Sequence, residues 1–386
     1  MIVLGLISGT SVDAIDIAAA DIAWDGPGIA LRPLGHREAA WPEPTRRRIL
    51  AALPPAPVTM GEVCALDVLI GEAFAAVARR MQTDFGGDLV ASHGQNLFHW
   101  TEHGRARGTL QLGQPACIVE ATGLPVVSDF RARDVAAGGQ GAPLASTLDA
   151  LWLAGEGGPR AALNLGGIAN ITIVGDPAEP VLAYDTGPAS CLLDIEAARI
   201  TGGVGSCDLD GRLALAGTPR ADLLERLLDE PYYAAKPPKS TGRELFDTGY
   251  TATRLQGLPD VSAPDLMATL TELTARTVAQ ACRFHHVTEI VASGGGTRNL
   301  ALMARLASHL APARLVTSDA RGLPSAGKEA YLFALLGFLT WHGVPGVAQG
   351  ATGSAIPRVL GRISPGDAPL RLPAPMPPPR ALIVEG

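Results

Sequence analysis

The sequence predicts an α/β fold built from two similar halves with an active-site cleft between them. Short apolar strands alternate with segments of helical periodicity, which favours a mixed or parallel sheet covered by helices. A strand, a glycine turn and a returning strand open the chain at residues 2–22, and the same pattern recurs at residues 161–174. Hydrophobic residues make up 47% of the 386 residues, which is enough to bury the cores of about two domains.

The first half contains a hairpin and two later strands. Its first strand ends in the polar turn at residues 8–11, and the chain returns as the second strand. Apolar residues then recur at helical spacing over residues 60–81, which predicts a long amphipathic helix. The predicted strands lie at residues 2–7, 15–22, 89–91 and 124–127.

The second half repeats the hairpin around a Gly-Gly turn at residues 166–167. A helix is predicted at residues 299–310. The apolar run at residues 330–341 predicts a buried helix, because a membrane span needs roughly 20 residues. The predicted strands lie at residues 161–165, 168–174, 181–184 and 289–292.

A glycine-rich segment at residues 136–141 interrupts the pattern and predicts a domain boundary nearby. The first domain is expected at residues 1–133 plus about 354–366, and the second at residues 134–353. Residues 367–386 are rich in proline, and we expect this C-terminal tail to pack poorly or to lie extended on the surface.

Charge and cysteine content exclude several classes of protein. The net charge of −7 argues against a nucleic-acid partner. The N-terminus has no basic region and turns polar after Ile7, so it predicts neither a signal peptide nor a membrane anchor. Five scattered cysteines without C-x-x-C spacing indicate neither a disulfide framework nor a zinc site. We therefore predict a cytoplasmic protein without a membrane partner, and a homodimer is left open.

Four glycine turns follow apolar strands and suggest phosphate binding. Without a side chain, the N–H groups of a glycine loop can converge on phosphate oxygens, and nearby hydroxyls add donors. Any one of them has an ordinary tight turn as its alternative. None matches the Walker or Rossmann pattern, which leaves hairpin loops from two domains. The turns lie at residues 9–11, 166–167, 187–188 and 294–296.

Three acidic residues are candidates for chemistry. Asp185 ends a strand where a general base would face the cleft, and capping of the following helix is an equally good reading. Asp13 lies in the first loop and is suited to hold Mg²⁺ through water, whereas the alternative is that Asp13 or Asp16 only tightens the hairpin.

Two basic residues are candidates for substrate binding. Arg131 could meet an anionic group, and its alternative is an ion pair with Asp129 or Asp134. His93 follows a strand and could reach the cleft, although a structural histidine is the commoner role, and no metal-ligand spacing surrounds it. The polar segment at residues 239–244 is read either as a lid or as a solvated loop.

Together these motifs resemble one family, the bacterial anhydro-N-acetylmuramic acid kinases of the actin, sugar kinase and heat-shock chaperone superfamily. The resemblance extends from Gly5 to about Gly361. Ala14 departs from the family pattern, where glycine is usual; the other departures are Gln114 and Ala189-Ser190. The matching motifs are SGTSVDAID (8–16), SHGQ (92–95), DFRARDVAAGGQGAPL (129–144), NLGGIANIT (164–172), DTGPAS (185–190), PPKSTGRELF (237–246), SGGGTRN (293–299) and GKEA (327–330).

The resemblance implies two actin-like, ribonuclease H-like α/β domains and an ATP-dependent kinase with Mg²⁺ as cofactor. The implied reaction opens 1,6-anhydro-N-acetylmuramic acid with water and phosphorylates it to N-acetylmuramic acid 6-phosphate in peptidoglycan recycling. Asp185 matches the catalytic base that activates the water. His93 and Arg131 remain sugar-side candidates, and the metal ligands stay undetermined. The implied nucleotide-binding residues are Gly9, Thr10, Ser11, Val12, Asp13, Ala14, Ile15, Asp16, Asn164, Gly166, Gly167, Gly294, Gly295 and Gly296.

Two other functions remain as alternatives. A levoglucosan-type kinase would act on an anhydrosugar without the N-acetyl and lactyl groups. A regulatory ATPase of the actin or chaperone type would control a partner through its nucleotide state, but the motifs at residues 185–190 and 237–246 favour the kinase group.

Overall fold

The computed structural model describes residues 1–155, 158–175, 180–205, 207–348 and 350–385. The strands there are β1 (Ile2–Ser8), β2 (Ala14–Asp25), β3 (Gly28–Ala40), β4 (Leu89–Glu102), β5 (Arg105–Leu112), β6 (Val126–Ser128), β7 (Arg160–Leu165), β8 (Ile168–Val174), β9 (Leu182–Pro188), β10 (Glu289–Ser293), β11 (Arg314–Thr317), β12 (Arg362–Ser364) and β13 (Leu382–Val384). The helices are α1 (Glu43–Ala52), α2 (Met60–Phe85), α3 (Pro115–Thr122), α4 (Ala132–Ala136), α5 (Ala145–Trp152), α6 (Ser190–Ile200), α7 (Arg212–Leu215), α8 (Ala221–Leu228), α9 (Pro231–Ala234), α10 (Thr248–Leu255), α11 (Ala263–Phe284), α12 (Leu300–Leu310) and α13 (Lys328–Trp341).

The chain forms two compact units, and their limits differ from the expected domains. The first unit is Met1–Ala154 with Gly322–Gly386, and the second is Gly155–Arg321. Residues 134–154 and 322–353, which we expected in the second domain, therefore belong to the first unit. The reason is packing, because α13 lies against β1, β2 and β4 of the first sheet.

The glycine-rich segment expected at the boundary is an ordered turn inside the first unit. Gly138 and Gly141 have positive φ values of 90° and 69°, which a side chain would disfavour. The N–H of Gly141 donates to Oδ2 of Asp134 at 2.7 Å, so α4 and α5 are joined by a closed turn, not by a linker.

The first sheet has the order β12-β6-β4-β1-β2-β3-β13, with β5 paired to β4. The first three strands of the chain are antiparallel neighbours. On the other side of β1, β4 runs parallel to it, and β6 runs parallel to β4. The loop between β1 and β2 therefore lies at the end of a central strand.

The second sheet has the order β11-β10-β7-β8-β9 and repeats this topology. Its first three strands, β7, β8 and β9, are antiparallel neighbours, and β10 and β11 continue in parallel from β7. The core strands are thus β3-β2-β1-β4-β6 in the first unit and β9-β8-β7-β10-β11 in the second. Apart from β5, which pairs only with β4, both units follow the order 3-2-1-4-5 in which their core strands occur along the chain, and this is the ribonuclease H-like order. The predicted class of two similar α/β domains is confirmed.

Helix α13 is buried along most of its length, as the apolar run predicted. It approaches β1 so closely that a Cβ built on Gly5 would lie 2.0 Å from the carbonyl oxygen of Ala330. Among the described residues, no helix is both long and apolar enough to span a membrane.

The C-terminal tail departs from the expectation of poor packing. Its strand β13 pairs in parallel with β3 at the edge of the first sheet, and Leu382 is buried there. Backbone hydrogen bonds of 3.0 Å join Ile29 to Ala381 and Glu385 to Leu31. The tail residue Gly386 lies outside the described residues.

Candidate active site

The first glycine loop, between β1 and β2, holds Val12 in a conformation that is unusual for a β-branched residue. Val12 has a φ of 57° and is fully buried. Its N–H donates to the carbonyl of Gly9 at 3.2 Å, and its carbonyl accepts from Nε of Arg46 at 2.8 Å. Nε2 of the buried Gln95 donates to the same Gly9 carbonyl at 3.1 Å. Side chains from α1 and β4 therefore fix the shape of this loop.

The predicted nucleotide-binding residues of this loop divide into two groups. Thr10 and Ser11 are exposed, and a Cβ built on Gly9 would meet no atom within 4 Å, so their polar groups are open to a ligand. Val12 and Ile15 are buried in the core and offer a ligand only their backbone. Ala14 has no left-handed φ, so its methyl group is compatible with the loop.

Asp13 in the loop and Asp16 on β2 have different surroundings. The side chain of Asp13 is 75% exposed, and its Oδ1 lies 3.8 Å from Nη2 of Arg46. The carboxylate of Asp16 lies 3.3 Å from Nε2 of His36. Asp16, His36 and Glu38 each offer one ligand atom, and these atoms lie within 4.8 Å of one another.

The second glycine loop joins β7 to β8 and is attached to the start of α6. The carbonyl of Gly167 accepts from the N–H groups of Ala189 and Cys191 at 2.9 and 3.0 Å. The carbonyl of Gly166 accepts from the N–H of Ser190 at 3.0 Å. Asn164, the last polar residue before the turn, pairs across the hairpin with Asn170.

Asp185 lies on β9, and its hydrogen bonds exclude the helix-cap reading. Its Oδ2 accepts from the hydroxyl of Ser240 at 2.8 Å and from the N–H of Thr241 at 3.0 Å. Helix α6 begins after Ala189 without a side-chain cap. Burial raises the pKa of Asp185, and the two hydrogen bonds oppose this by stabilising the carboxylate.

The segment after α9 encloses Asp185 on its backbone side as well. The N–H of Asp185 donates to the carbonyl of Lys239 at 3.1 Å, and its carbonyl accepts from the hydroxyl of Tyr232 at 2.7 Å. The ammonium of Lys239 donates to the carbonyls of Tyr232 and Tyr233. Residues 239–241 are therefore an ordered support of Asp185, not a solvated loop.

His93 and Arg131 contact each other, and the sequence alone did not predict this contact. Nε of Arg131 donates to Nε2 of His93 at 2.8 Å, which leaves Nδ1 of His93 to donate to the carbonyl of Gly94 at 3.1 Å. Burial, with the charge of Arg131, lowers the pKa of His93 well below its ordinary value, so the ring is neutral.

The ion pairs proposed as alternatives for Arg131 are absent among the described residues. Asp129 instead pairs with Arg362 at 2.7 Å. Asp134 accepts from the N–H of Gly141 and from the hydroxyl of Thr352. Arg131 itself donates to the carbonyl of Gly141 at 2.8 Å.

Sequence reasoning missed Glu329, although its motif was noted. It lies in the first turn of α13. Desolvation raises the pKa of its carboxyl; the charge of Arg131 lowers it, and that of Asp16 raises it. Its place in GKEA was the available signal, but the sequence alone does not bring residue 329 to Arg131.

The glycine segment at residues 294–296 follows β10 and packs against the end of β7. Gly294 has a φ of 89°, and a Cβ built on it would lie 2.7 Å from Oδ1 of Asn164. A Cβ on Gly296 would lie 2.7 Å from that of Leu165. Only Gly295 of the three has space around it, with Nη2 of Arg298 at 3.7 Å from a built Cβ.

The glycine turn at residues 187–188 is a packing feature. Gly187 belongs to β9, and with a φ of 146° it allows the ring of Tyr233 to approach within 2.9 Å of a built Cβ. The geometry therefore favours an ordinary structural turn over a phosphate-binding turn at these residues.

Two α/β units of the same strand order, each with a glycine loop in its first hairpin, define a protein of the two-domain, ribonuclease H-like fold class. The family model described as anhydro-N-acetylmuramic acid kinase matches residues 1–366. The chain belongs to this family.

Proteins named anhydro-N-acetylmuramic acid kinase match over nearly the whole chain. The anhydro-N-acetylmuramic acid kinase of Streptomyces avermitilis is 55% identical over 376 residues, covering 97% of each chain. That of Streptomyces coelicolor is 54% identical over 390 residues, covering 100% of each. Among solved structures, the activator of the 2-hydroxyisocaproyl-CoA dehydratase from Clostridium difficile with bound ADPNP covers 86% of this chain and 94% of its own, at 12% identity and a TM-score of 0.41.

Proposed function

We propose that the protein is an ATP-dependent kinase that opens 1,6-anhydro-N-acetylmuramic acid with water and phosphorylates its O6. The product is N-acetylmuramic acid 6-phosphate, an intermediate of peptidoglycan recycling. The observation that best supports this function is the carboxylate of Asp185, held by Ser240 and Thr241 in a chain of this family.

Asp185 is the proposed general base. Its raised pKa suits proton abstraction, while the two hydrogen bonds orient the carboxylate. The base takes a proton from water as the water oxygen bonds to the anomeric carbon. The bond from that carbon to O6 breaks, and its electron pair remains on O6. O6 then bonds to the γ-phosphorus of ATP, and ADP leaves with the electrons of the broken bond.

The glycine loops are the proposed nucleotide site. Residues 9–16 would bind phosphate with the exposed hydroxyls of Thr10 and Ser11 and with backbone N–H groups. Residues 164–167 would form the second phosphate loop, and Gly294 to Gly296 would border the adenosine. Gly295 has the space for a ligand to approach, whereas its two neighbours shape the turn.

Mg²⁺ is the proposed metal cofactor, and the first loop fits it. The exposed carboxylate of Asp13 is a hard oxygen donor, and Mg²⁺ prefers few carboxylates together with water. Asp13 would hold the ion, and Asp16, three residues further along the chain, offers a second carboxylate. When bound, the ion neutralises charge on the phosphates of ATP.

His93 and Arg131 are the proposed sugar-side residues. Arg131 keeps a positive charge and is oriented by the neutral ring of His93, so it can pair with a carboxylate. The lactyl carboxylate is the anionic group that distinguishes the proposed substrate from a plain anhydrohexose. We therefore assign Arg131 to this group.

The cytoplasm is the proposed location, since it supplies ATP and keeps thiols reduced, and the five cysteines are all free. A homodimer stays a prediction, and light scattering coupled to size-exclusion chromatography would test it.

A coupled ADP-release assay over a panel of sugars tests the function. We expect turnover with 1,6-anhydro-N-acetylmuramic acid, and a much lower kcat/KM with 1,6-anhydroglucose and with ordinary hexosamines. Equal turnover on 1,6-anhydroglucose would favour the levoglucosan-type activity. ADP release without any sugar would contradict the kinase assignment.

A further inference from the structure

We propose that Arg243 is a further catalytic residue, which binds the γ-phosphoryl group of ATP at the second glycine loop while that group is transferred. The inference rests on the proposed function, because it takes residues 164–167 as a phosphate loop. It assigns a role to a residue that lies outside the glycine loops and is not the proposed base.

The position of Arg243 is the first argument. A Cβ built on Gly167 would lie 3.8 Å from both Nε and Nη2 of Arg243. The guanidinium is therefore beside the turn whose glycines leave room for a phosphate. Its fork of N–H donors matches the oxygens of a phosphoryl group.

The second argument is that Arg243 has no partner among the residues that the structure describes. It is exposed, and no hydrogen bond or ion pair forms to its side chain there. Two other arginines of the second unit are paired instead, Arg220 with Asp222 at 2.6 Å and Arg254 with Glu230 at 2.7 Å. A free guanidinium at this turn is available to an anionic ligand.

The third argument is that the same segment supports the proposed base. Ser240 and Thr241 donate to Asp185, and Arg243 follows two residues later. The segment is anchored at the other end by Phe246, which is fully buried. The segment that supports the proposed base therefore also carries Arg243.

The charge of Arg243 also acts on the adjacent helix. It lowers the pKa of Asp194 on α6, although burial raises that pKa overall. The same built Cβ on Gly167 that lies 3.8 Å from the guanidinium also lies 3.8 Å from Cβ of Cys191, which is in the first turn of α6. The N–H groups at the start of this helix bind the glycine carbonyls of the loop.

The chemical role follows from the reaction. As O6 bonds to the γ-phosphorus, the bond to the β–γ bridging oxygen breaks, and its electron pair leaves with ADP. Negative charge is spread over the three equatorial oxygens of the γ-phosphoryl group. Arg243 neutralises that charge by donating N–H groups and transfers no proton.

The test compares Arg243→Ala, Arg243→Lys and Arg243→Gln with the control Lys236→Ala. Lys236 is an exposed cation seven residues upstream, so its removal changes the net charge equally. We expect Arg243→Ala to lower kcat by about 100-fold or more, because such donors act mainly on the transition state. Arg243→Gln should lower kcat as much as Arg243→Ala does, whereas Arg243→Lys should retain part of the wild-type kcat. Lys236→Ala should keep the rate of the wild type.

Binding measurements separate this role from a structural one. By calorimetry, Arg243→Ala should weaken binding of the analogue AMPPNP and leave that of ADP within about threefold, since only AMPPNP has a γ-phosphate. The KM of the sugar and the melting temperature should be unchanged. A kcat within about threefold of wild type, or equal weakening of ADP and AMPPNP, would overturn the inference.

A failure of the role of Arg243 can be distinguished from a failure of the proposed function. If the wild type does not phosphorylate the anhydrosugar, the proposed function fails. If the wild type is active, Asp185→Asn is inactive and Arg243→Ala retains full kcat, only the role of Arg243 fails.

Discussion

Asp185 is the residue on which the proposed chemistry most directly depends. In Asp185→Asn, the amide oxygen can still accept from Ser240 and Thr241, but the side chain can no longer take a proton. We expect kcat to fall by about 1000-fold, while the Kd of ADP stays close to that of the wild type. The coupled assay and calorimetry measure the two effects.

The control for this variant is Asp229→Asn, which removes an exposed carboxylate of the same unit. It should leave kcat unchanged. Full activity in Asp185→Asn would contradict the assignment of the base.

The hydrogen bond from Ser240 gives a prediction about pH. Its hydroxyl stabilises the carboxylate of Asp185 and so lowers a pKa that burial raises. A general base acts in its ionised form, so activity is lost as the pH falls through this pKa. Ser240→Ala removes the donor, and the acidic limb of the kcat/KM profile should move to higher pH.

Thr241→Ala is the matched control, because Thr241 donates through its backbone N–H, which the substitution retains. Its acidic limb should coincide with that of the wild type. A shift to lower pH in Ser240→Ala would show that the hydroxyl does not stabilise the carboxylate.

The role of a single residue could be predicted from the sequence where the residue lies in a short motif. Asp185 and the glycines of the loops could be chosen from the sequence, because each follows an apolar strand. The contact of Arg131 with His93 and the left-handed Val12 could not, since both depend on groups contributed by distant elements.

At the scale of elements, the close contact of β1 with α13 requires glycine at position 5. A methyl group there would overlap the backbone of Ala330 and Ala334. We expect Gly5→Ala to lower the free energy of unfolding by about 3 kcal/mol, because neither backbone can move away without loss of packing. Denaturant titration followed by circular dichroism measures this.

Gly9→Ala is the matched substitution on the same segment. A Cβ there meets no atom within 4 Å, so the free energy of unfolding should stay within about 0.5 kcal/mol of wild type. If residues 9–16 bind phosphate, Gly9→Ala should instead raise the KM of ATP. The pair thus separates a glycine needed for packing from one needed for ligand approach.

Elements with strong periodicity were predicted correctly. Helices α2, α12 and α13 and the hairpin strands of both units lie where the sequence indicated them. Strand β3 was not predicted, because its second half is charged and only partly buried at residues 32–40. Such a strand is stabilised by its pairing with β2, which local sequence does not reveal.

At the scale of the whole molecule, the chain end completes the first sheet. Leu382 of β13 is 4% exposed, whereas its neighbour Ile383 is 52% exposed. Leu382→Ala should destabilise the protein by about 2 kcal/mol, because it removes buried apolar area. Ile383→Ala, on the solvent face of the same strand, should change stability by less than about 0.5 kcal/mol.

Thermal melting and denaturant titration of both variants check this prediction. Equal effects of the two substitutions would mean that β13 does not pack against β3. Neither variant should alter kcat, since no proposed site residue lies on β13 or β3.

The sequence by itself determined the two α/β units, the two hairpin loops, the strand-end aspartate and the family. These follow from periodicity and from short motifs, which depend on neighbouring residues. The tertiary structure decided the limits of the units, the pairing of the chain end, the support of Asp185 by residues 239–241 and the position of the Arg243 guanidinium beside Gly167. Each of these depends on contacts between residues far apart in the chain, where packing and hydrogen bonding choose the partner.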